Sequence, residues 1–243
     1  MDYLSIAIEA ATAAGNFLSV SDDIVINSSV GHDIKLQKDK DSEKIILDIL
    51  QKSSLNILSE ECGYIENNSD SDLCWVIDPL DGSLNYSRNI PLFCVSIALW
   101  KGKKPVLGVV FDFMRNKLYK GVVGHGAWCN EQPIEVSTVS QKSSAIIATG
   151  FPVYSSFATE TLLAFVKDLQ NYKKVRLFGS AAFSMMMVAQ GSVEAYQENN
   201  IAWWDVAAGI AIVLAAGGCV KYDFSDINKN LMNVFAVNNH KII

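Results

Sequence analysis

Apolar residues recur at near-helical spacing from Tyr3 to Val20, at Leu4, Ile8, Ala11 and Leu18, and this predicts a first helix. Ile45, Ile46, Ile49 and Leu50 repeat the pattern and predict a second helix over Asp41 to Gln51. The polar, turn-prone run Asn27 to Asp33 between them reads as a mobile loop. Runs rich in β-branched and aromatic residues then predict strands over Leu55–Ser59, Leu73–Ile77, Phe93–Trp100, Val106–Phe111 and Lys117–Gly121. In the second half the elements alternate. Strands are predicted over Ser144–Thr149, Lys174–Phe178, Val193–Tyr196, Cys219–Tyr222 and Val234–Val237, with helices over Ser156–Leu169, Ser180–Gln190 and Asp205–Ala216. Such mixed alternation predicts a layered α/β architecture. With no repeat, low-complexity tract or long linker, the chain reads as one compact unit. A soft boundary near Val139 to Ser144 divides an N-terminal lobe (1–140) from a C-terminal lobe (141–243).

Composition narrows the function classes. Half of the 243 residues are hydrophobic and 19% are charged, which is ample material for one sizeable core. A net charge of −6 and a pI near 5.1 argue against binding a nucleic acid polymer, which rests on Lys and Arg neutralising phosphates. An anionic substrate would therefore need cations as intermediaries. The apolar run Val206 to Gly218 falls short of the roughly 18 to 20 residues that span a bilayer, so it reads as a buried helix and no membrane partner is expected. The N-terminal MDYLSIAIEAA has an acid where a signal peptide has bases, so a cytoplasmic location is the expectation. Cys62, Cys74, Cys94, Cys129 and Cys219 are odd in number and scattered, with no CxxC, which favours reduced thiols over disulfides or zinc. His32, His125 and His240 neighbour no Ser or Cys nucleophile in sequence.

The chemistry concentrates in WVIDPLDGSLNY, Trp75 to Tyr86. Asp78 and Asp81 flank Pro79 at the end of a hydrophobic strand and run directly into Gly82-Ser83. Paired carboxylates suit a hard cation such as Mg²⁺, and a Gly-Ser turn opening a helix suits a phosphate. Three further places offer acids at element edges: Asp39, Glu60 with Glu61, and Asp205 after Trp203-Trp204. Each has a plainer reading. Asp205 could be a helix N-cap, Asp39 a solvated acid in KDKDSEK, Glu60-Glu61 surface charge, and Asp78 to Gly82 an ordinary turn. Their joint occurrence favours the site, since such a cluster repels itself unless cations are present.

These residues resemble the inositol monophosphatase-like family of Mg²⁺-dependent, lithium-sensitive phosphatases. WVIDPLDGSLNY is similar to its first motif and WWDVAAGIAIVLAAGG to its second, with SEECG before the first, GHGAWCN and RLFGSAA between the two, and AVNNH after the second. The resemblance implies a layered αβαβα sandwich of mixed α+β type. It further implies that Glu60, Asp78 and the Leu80 carbonyl bind the activating Mg²⁺, that Asp78, Asp81 and Asp205 bind a second, and that Glu60 helps hold a weaker third through water. Gly82 and Ser83 would offer N–H groups to the phosphate, aided by the following helix. Ser83 and Asp39 would orient the attacking water. Gly179, Ser180, Ala181 and Glu198 match positions lining the polyol pocket, with an exposed loop acid as the competing reading of Glu198. Arg176 matches a nearby basic residue, with a structural salt bridge as its competing reading.

The chain departs from the family pattern at Ser83 in place of Thr, at Lys35-Leu36 in place of a Val-Thr pair, and at Ala215 in place of Glu. The resulting expectation is a phosphomonoesterase acting on a small polyol or sugar phosphate, inositol monophosphate first, as a homodimer. A bisphosphate nucleotidase, a fructose-1,6-bisphosphatase or a histidinol-phosphate phosphatase are alternatives within the family. A catalytically idle scaffold of the same fold is the alternative outside enzymology.

Overall fold

A computed structural model describes the chain except for residues 21–25, 31–32, 68–70, 152–156, 226–229, 240 and 243. His32, His240 and the first residue of the helix predicted over Ser156–Leu169 therefore lie outside the described residues. The first half runs α1 (Tyr3–Val20), β1 (Ile26–Val30), β2 (Asp33–Leu36), α2 (Gln37–Leu50), β3 (Asn56–Ser59), β4 (Gly63–Ile65), β5 (Leu73–Asp81), α3 (Ser83–Ser87), β6 (Cys94–Lys101), β7 (Lys104–Asp112), β8 (Lys117–Val122), β9 (Gly126–Cys129) and β10 (Gln132–Pro133). The second runs β11 (Ile146–Thr149), α4 (Thr159–Leu169), β12 (Lys174–Arg176), α5 (Ala181–Ala189), β13 (Ala195–Ala202), α6 (Trp203–Ala215), β14 (Cys219–Phe224) and β15 (Leu231–Val237).

Two sheets carry the fold. The larger has the order β10-β9-β8-β7-β6-β5-β3-β4 and is antiparallel except where β3 meets β5. The smaller has the order β12-β11-β13-β15-β14, with β11 parallel to both of its neighbours. Strand periodicity assigns the layers, because alternate side chains point to opposite faces. Ile57, Trp75, Ile77, Val95, Ile97 and Val109 join a cluster with Ala7, Ala10, Ala14, Ile46 and Leu50 of α1 and α2. Leu58, Val76, Ala98 and Val110 face the other way, into a cluster with α5 and α6. The smaller sheet covers the far side of that helical layer through Ala148, Tyr196 and Ala236, while Ile147, Ala195 and Val237 turn outward to meet Leu169 at the end of α4. The expected layered α+β sandwich is thus the observed architecture.

Within α6 every residue from Val206 to Val213 is buried, as expected for a helix lying between two sheets. Its backbone passes so close to β7 that a Cβ on Gly108 would overlap the Ala208 carbonyl oxygen. α1 is the one described helix long and apolar enough to cross a membrane, and its alanine face is packed on the large sheet.

Three differences from the sequence expectation have local causes. The run Asn27 to Asp33, expected as a loop, includes most of a hairpin in which Ser28, Ser29 and Val30 pair with Lys35, Ile34 and Asp33. Backbone pairing of polar strands leaves no hydrophobic alternation to read. The strands β4, β9 and β10 have three, four and two residues, too few for a period of two to show, β9 lying inside GHGAWCN. Finally, α6 begins at Trp203 with Ala202 as its N-cap, so Asp205 sits in the first turn rather than capping it.

Candidate metal and phosphate site

β5 brings the first two acids together through an irregularity. Asp78 pairs with Ser96 and Asp81 with Cys94, so three steps along β5 oppose two along β6. In a regular strand residues three apart point to opposite faces, and the extra bulge residue restores them to the same side. Pro79 suits that position because it has no N–H for the ladder to lose. The Leu80 amide donates to Asp78 Oδ1 at 2.9 Å, which fixes the first carboxylate.

The parallel pairing of β3 with β5 sets Ser59 opposite Ile77 and leaves Glu60 beside Asp78. Glu60 donates its amide to the Ile77 carbonyl at 3.3 Å. From the opposite side, the first turn of α6 delivers Asp205. Carboxylate oxygens of Glu60, Asp78 and Asp205 lie within 4.8 Å of one another. Asp81 is held separately: its Oδ2 accepts from the Ser180 hydroxyl and the Ala182 amide, both at 2.6 Å, at the start of α5.

The electrostatics follow from that crowding. Burial raises Asp78 well above the usual carboxylate range, and the charges of Glu60, Asp81 and Asp205 push it further in the same direction. Burial raises Asp81 to about 6, against the hydrogen bonds from Ser180 and the first amides of α5. An all-oxygen donor set that cannot ionise comfortably on its own fits a hard divalent cation, and the side chains present fit the expected metal.

Asp39, on the third residue of α2, is 3% exposed and so is not the solvated acid of the plainer reading. Its Oδ2 accepts from the Leu36 amide at 2.7 Å, and its Oδ1 lies 3.2 Å from the Ser83 hydroxyl, which also reaches the Leu80 carbonyl at 2.9 Å. Gly82 has φ +89°, and a Cβ there would meet the Leu92 carbonyl oxygen at 2.9 Å, so the turn is open only to glycine. The helix after it, α3, has only five residues. Its dipole is correspondingly short, and the individual N–H groups of the turn are left as the donors available to an anion.

A cleft of about 250 Å³ opens beside these acids, lined by Asp81, Gly179, Ala181, Glu198, Asn200 and Asp205 among others. A larger cavity of about 470 Å³ under α4 shares Gly150, Phe151, Glu198 and Asn200 with it and is lined by none of Glu60, Asp78, Asp81 or Asp205. Burial, and next the charge of Asp81, push Glu198 up to about 8, opposed by the Tyr196 hydroxyl. Ser180 faces the cleft but spends its hydroxyl on Asp81. Arg176 is exposed and donates to the Val175 carbonyl at 3.0 Å. Asn85, not among the candidate site residues, ties α3 to the cleft wall by donating to the carbonyls of Leu92 and Phe178, both at 2.8 Å. Its partners lie 7 and 93 residues away, and only its place in the motif SLNY could have drawn notice.

The sequence pattern described as the Inositol monophosphatase family matches residues 2–239. Nus factor SuhB of Pasteurella multocida is 38% identical over 224 residues, covering 89% of this chain and 84% of that protein. Inositol-1-monophosphatase of Synechocystis sp. is 35% identical over 251 residues, covering 97% and 84%. Among solved structures, the extragenic suppressor protein suhB of Bartonella henselae superposes with a TM-score of 0.88 at 31% identity, covering 99% of this chain and 95% of that one.

Proposed function

Because this chain belongs to the inositol monophosphatase family, we propose that it is a Mg²⁺-dependent phosphomonoesterase acting on a small polyol phosphate, with inositol monophosphate as the leading substrate. One observation carries the reading: Glu60, Asp78 and Asp205 converge within 4.8 Å at the edge of a cleft that also holds Glu198. Glu60, Asp78 and the Leu80 carbonyl would hold one ion, and Asp78, Asp81 and Asp205 another. Bound Mg²⁺ supplies charge neutralisation at the phosphate and acidifies water.

The protein's own groups do the rest. The N–H groups of Gly82 and Ser83 hold phosphate oxygens. Ser83 Oγ, beside Asp39 Oδ1, orients the attacking water and passes its proton toward that carboxylate. Glu198 accepts hydrogen bonds from substrate hydroxyls, while Gly179 and Ala181 shape the wall. Positioning and charge neutralisation then account for catalysis with no covalent intermediate. The lobes 1–140 and 141–243 both contribute, the second through Asp205 and Glu198. On this reading the chain is a Li⁺-inhibited cytoplasmic homodimer, which Li⁺ titration and sedimentation equilibrium test.

Asp205→Asn should lower Mg²⁺-dependent release of phosphate from inositol 1-phosphate by at least ~100-fold, with an unchanged circular dichroism spectrum. Near wild-type turnover by the purified variant would sink the assignment. The name carried by the Pasteurella multocida relative favours a second reading, a role as a Nus factor. The same variant separates the two, since a role outside catalysis survives Asp205→Asn when the variant replaces the chromosomal copy.

A further inference from the structure

α2 carries Asp39, Ser42 and Glu43 at i, i+3 and i+4, which places them on one helix face. All three are polar, and all three are buried, at 3%, 0% and 7% exposure. Each is tied to a different segment of the acid site. Asp39 meets Ser83 at 3.2 Å. Ser42 Oγ donates at 2.9 Å to the carbonyl of Pro79, between Asp78 and Leu80. Glu43 Oε1 accepts from the Ser59 hydroxyl and, at 3.0 Å, from the Cys62 amide. One face of one helix thus gathers the segments that bear Ser83, Asp78 and Glu60.

The Glu43 contacts have the most specific geometry. Ser59 and Cys62 are the residues that bracket Glu60-Glu61, so the turn is pinned at both ends to a single carboxylate oxygen. Between those pins, the Glu60 amide is anchored to the Ile77 carbonyl, one residue before Asp78. A buried carboxylate is costly unless it is hydrogen-bonded, and here its bonds all go to the frame of Glu60. Nothing in the proposed reaction uses Glu43 directly.

We propose that Glu43 is a positioning residue for Glu60, setting the distance of its carboxylate from Asp78 and Asp205 and hence the affinity of the site for a divalent cation. The inference rests on the metal-site reading above. Because both donors end on Oε1, a glutamine side chain offers the same acceptor through its carbonyl oxygen, whereas alanine offers none.

The test titrates metal-stripped wild type, Glu43→Ala and Glu43→Gln with Mn²⁺ alone, reading free Mn²⁺ by electron paramagnetic resonance and folding by circular dichroism. Glu43→Ala should bind Mn²⁺ about 10- to 100-fold more weakly, while Glu43→Gln stays within about threefold of wild type. In turnover assays the half-saturating Mg²⁺ concentration should rise in parallel for Glu43→Ala, with kcat at saturating Mg²⁺ changed by less than about threefold. Wild-type Mn²⁺ affinity in folded Glu43→Ala overturns the proposal. Should Glu43→Ala fail to fold, Ser59→Ala removes one of the two donors and should weaken Mn²⁺ binding several-fold, and no weakening there overturns it equally. Absence of Mn²⁺ binding by the wild type would be a different result, overturning the metal site itself.

Discussion

At the residue scale, the site is defined by acids raised above their ordinary range: Asp78 by burial and three neighbouring charges, Asp81 to about 6, and Glu198 to about 8. For an acid raised in the folded state, the folded protein holds more protons than the unfolded chain between the two pKa values. The stabilisation is therefore complete below the unfolded value and is lost as pH rises through the folded one. In metal-free protein Glu198 places that loss between about pH 4.5 and pH 8. Denaturant unfolding in EDTA should accordingly show a fall on the order of 2 kcal/mol or more from pH 5 to pH 8, reduced in Glu198→Gln. A flat profile in the wild type would contradict the burial argument. The acids themselves were legible in the sequence, because Asp78, Asp81 and Asp205 sit in contiguous motifs. The hydrogen bonds of Asn85, Ser42 and Glu43 were not, since they reach partners 7 to 93 residues away and leave no periodicity behind.

At the element scale, the hydrophobic runs of β5, β6 and β7 and the apolar helix α6 announced themselves because each is buried on opposite faces. The β1–β2 hairpin did not, since Asn27 to Asp33 offers no alternation to read. The bulge at Pro79 was equally invisible, although it decides that Asp78 and Asp81 share a side. Glycines mark where elements touch. A Cβ on Gly108 would overlap backbone atoms of Ala208, so neither β7 nor α6 can yield by rotating a side chain. Gly108→Ala should cost about 1–3 kcal/mol and lower the melting temperature by several degrees, measured by calorimetry. Because α6 carries Asp205, metal affinity should fall with it. A variant as stable as wild type would show that the two elements can separate without penalty.

At the scale of the whole molecule, the chain is a five-layer scaffold whose acids come from the turn after β3, from β5 and from α6 and face one another across the join between the large sheet and the central helices. On the proposed reading, relief of the charge repulsion among them should make the folded state respond to divalent cations, since an ion that binds only the native site stabilises it by mass action. Mg²⁺ at pH 8 should raise the melting temperature, and EDTA should reverse the rise. The central claim is that this site performs metal-dependent phosphate ester hydrolysis. The most direct measurement is phosphate release from inositol 1-phosphate, adenosine 3′,5′-bisphosphate, fructose 1,6-bisphosphate and histidinol phosphate, each with Mg²⁺ and with EDTA. The account predicts Mg²⁺-dependent release that is fastest for inositol 1-phosphate and abolished by EDTA. Release that persists in EDTA, or none from any of the four in Mg²⁺, would contradict it.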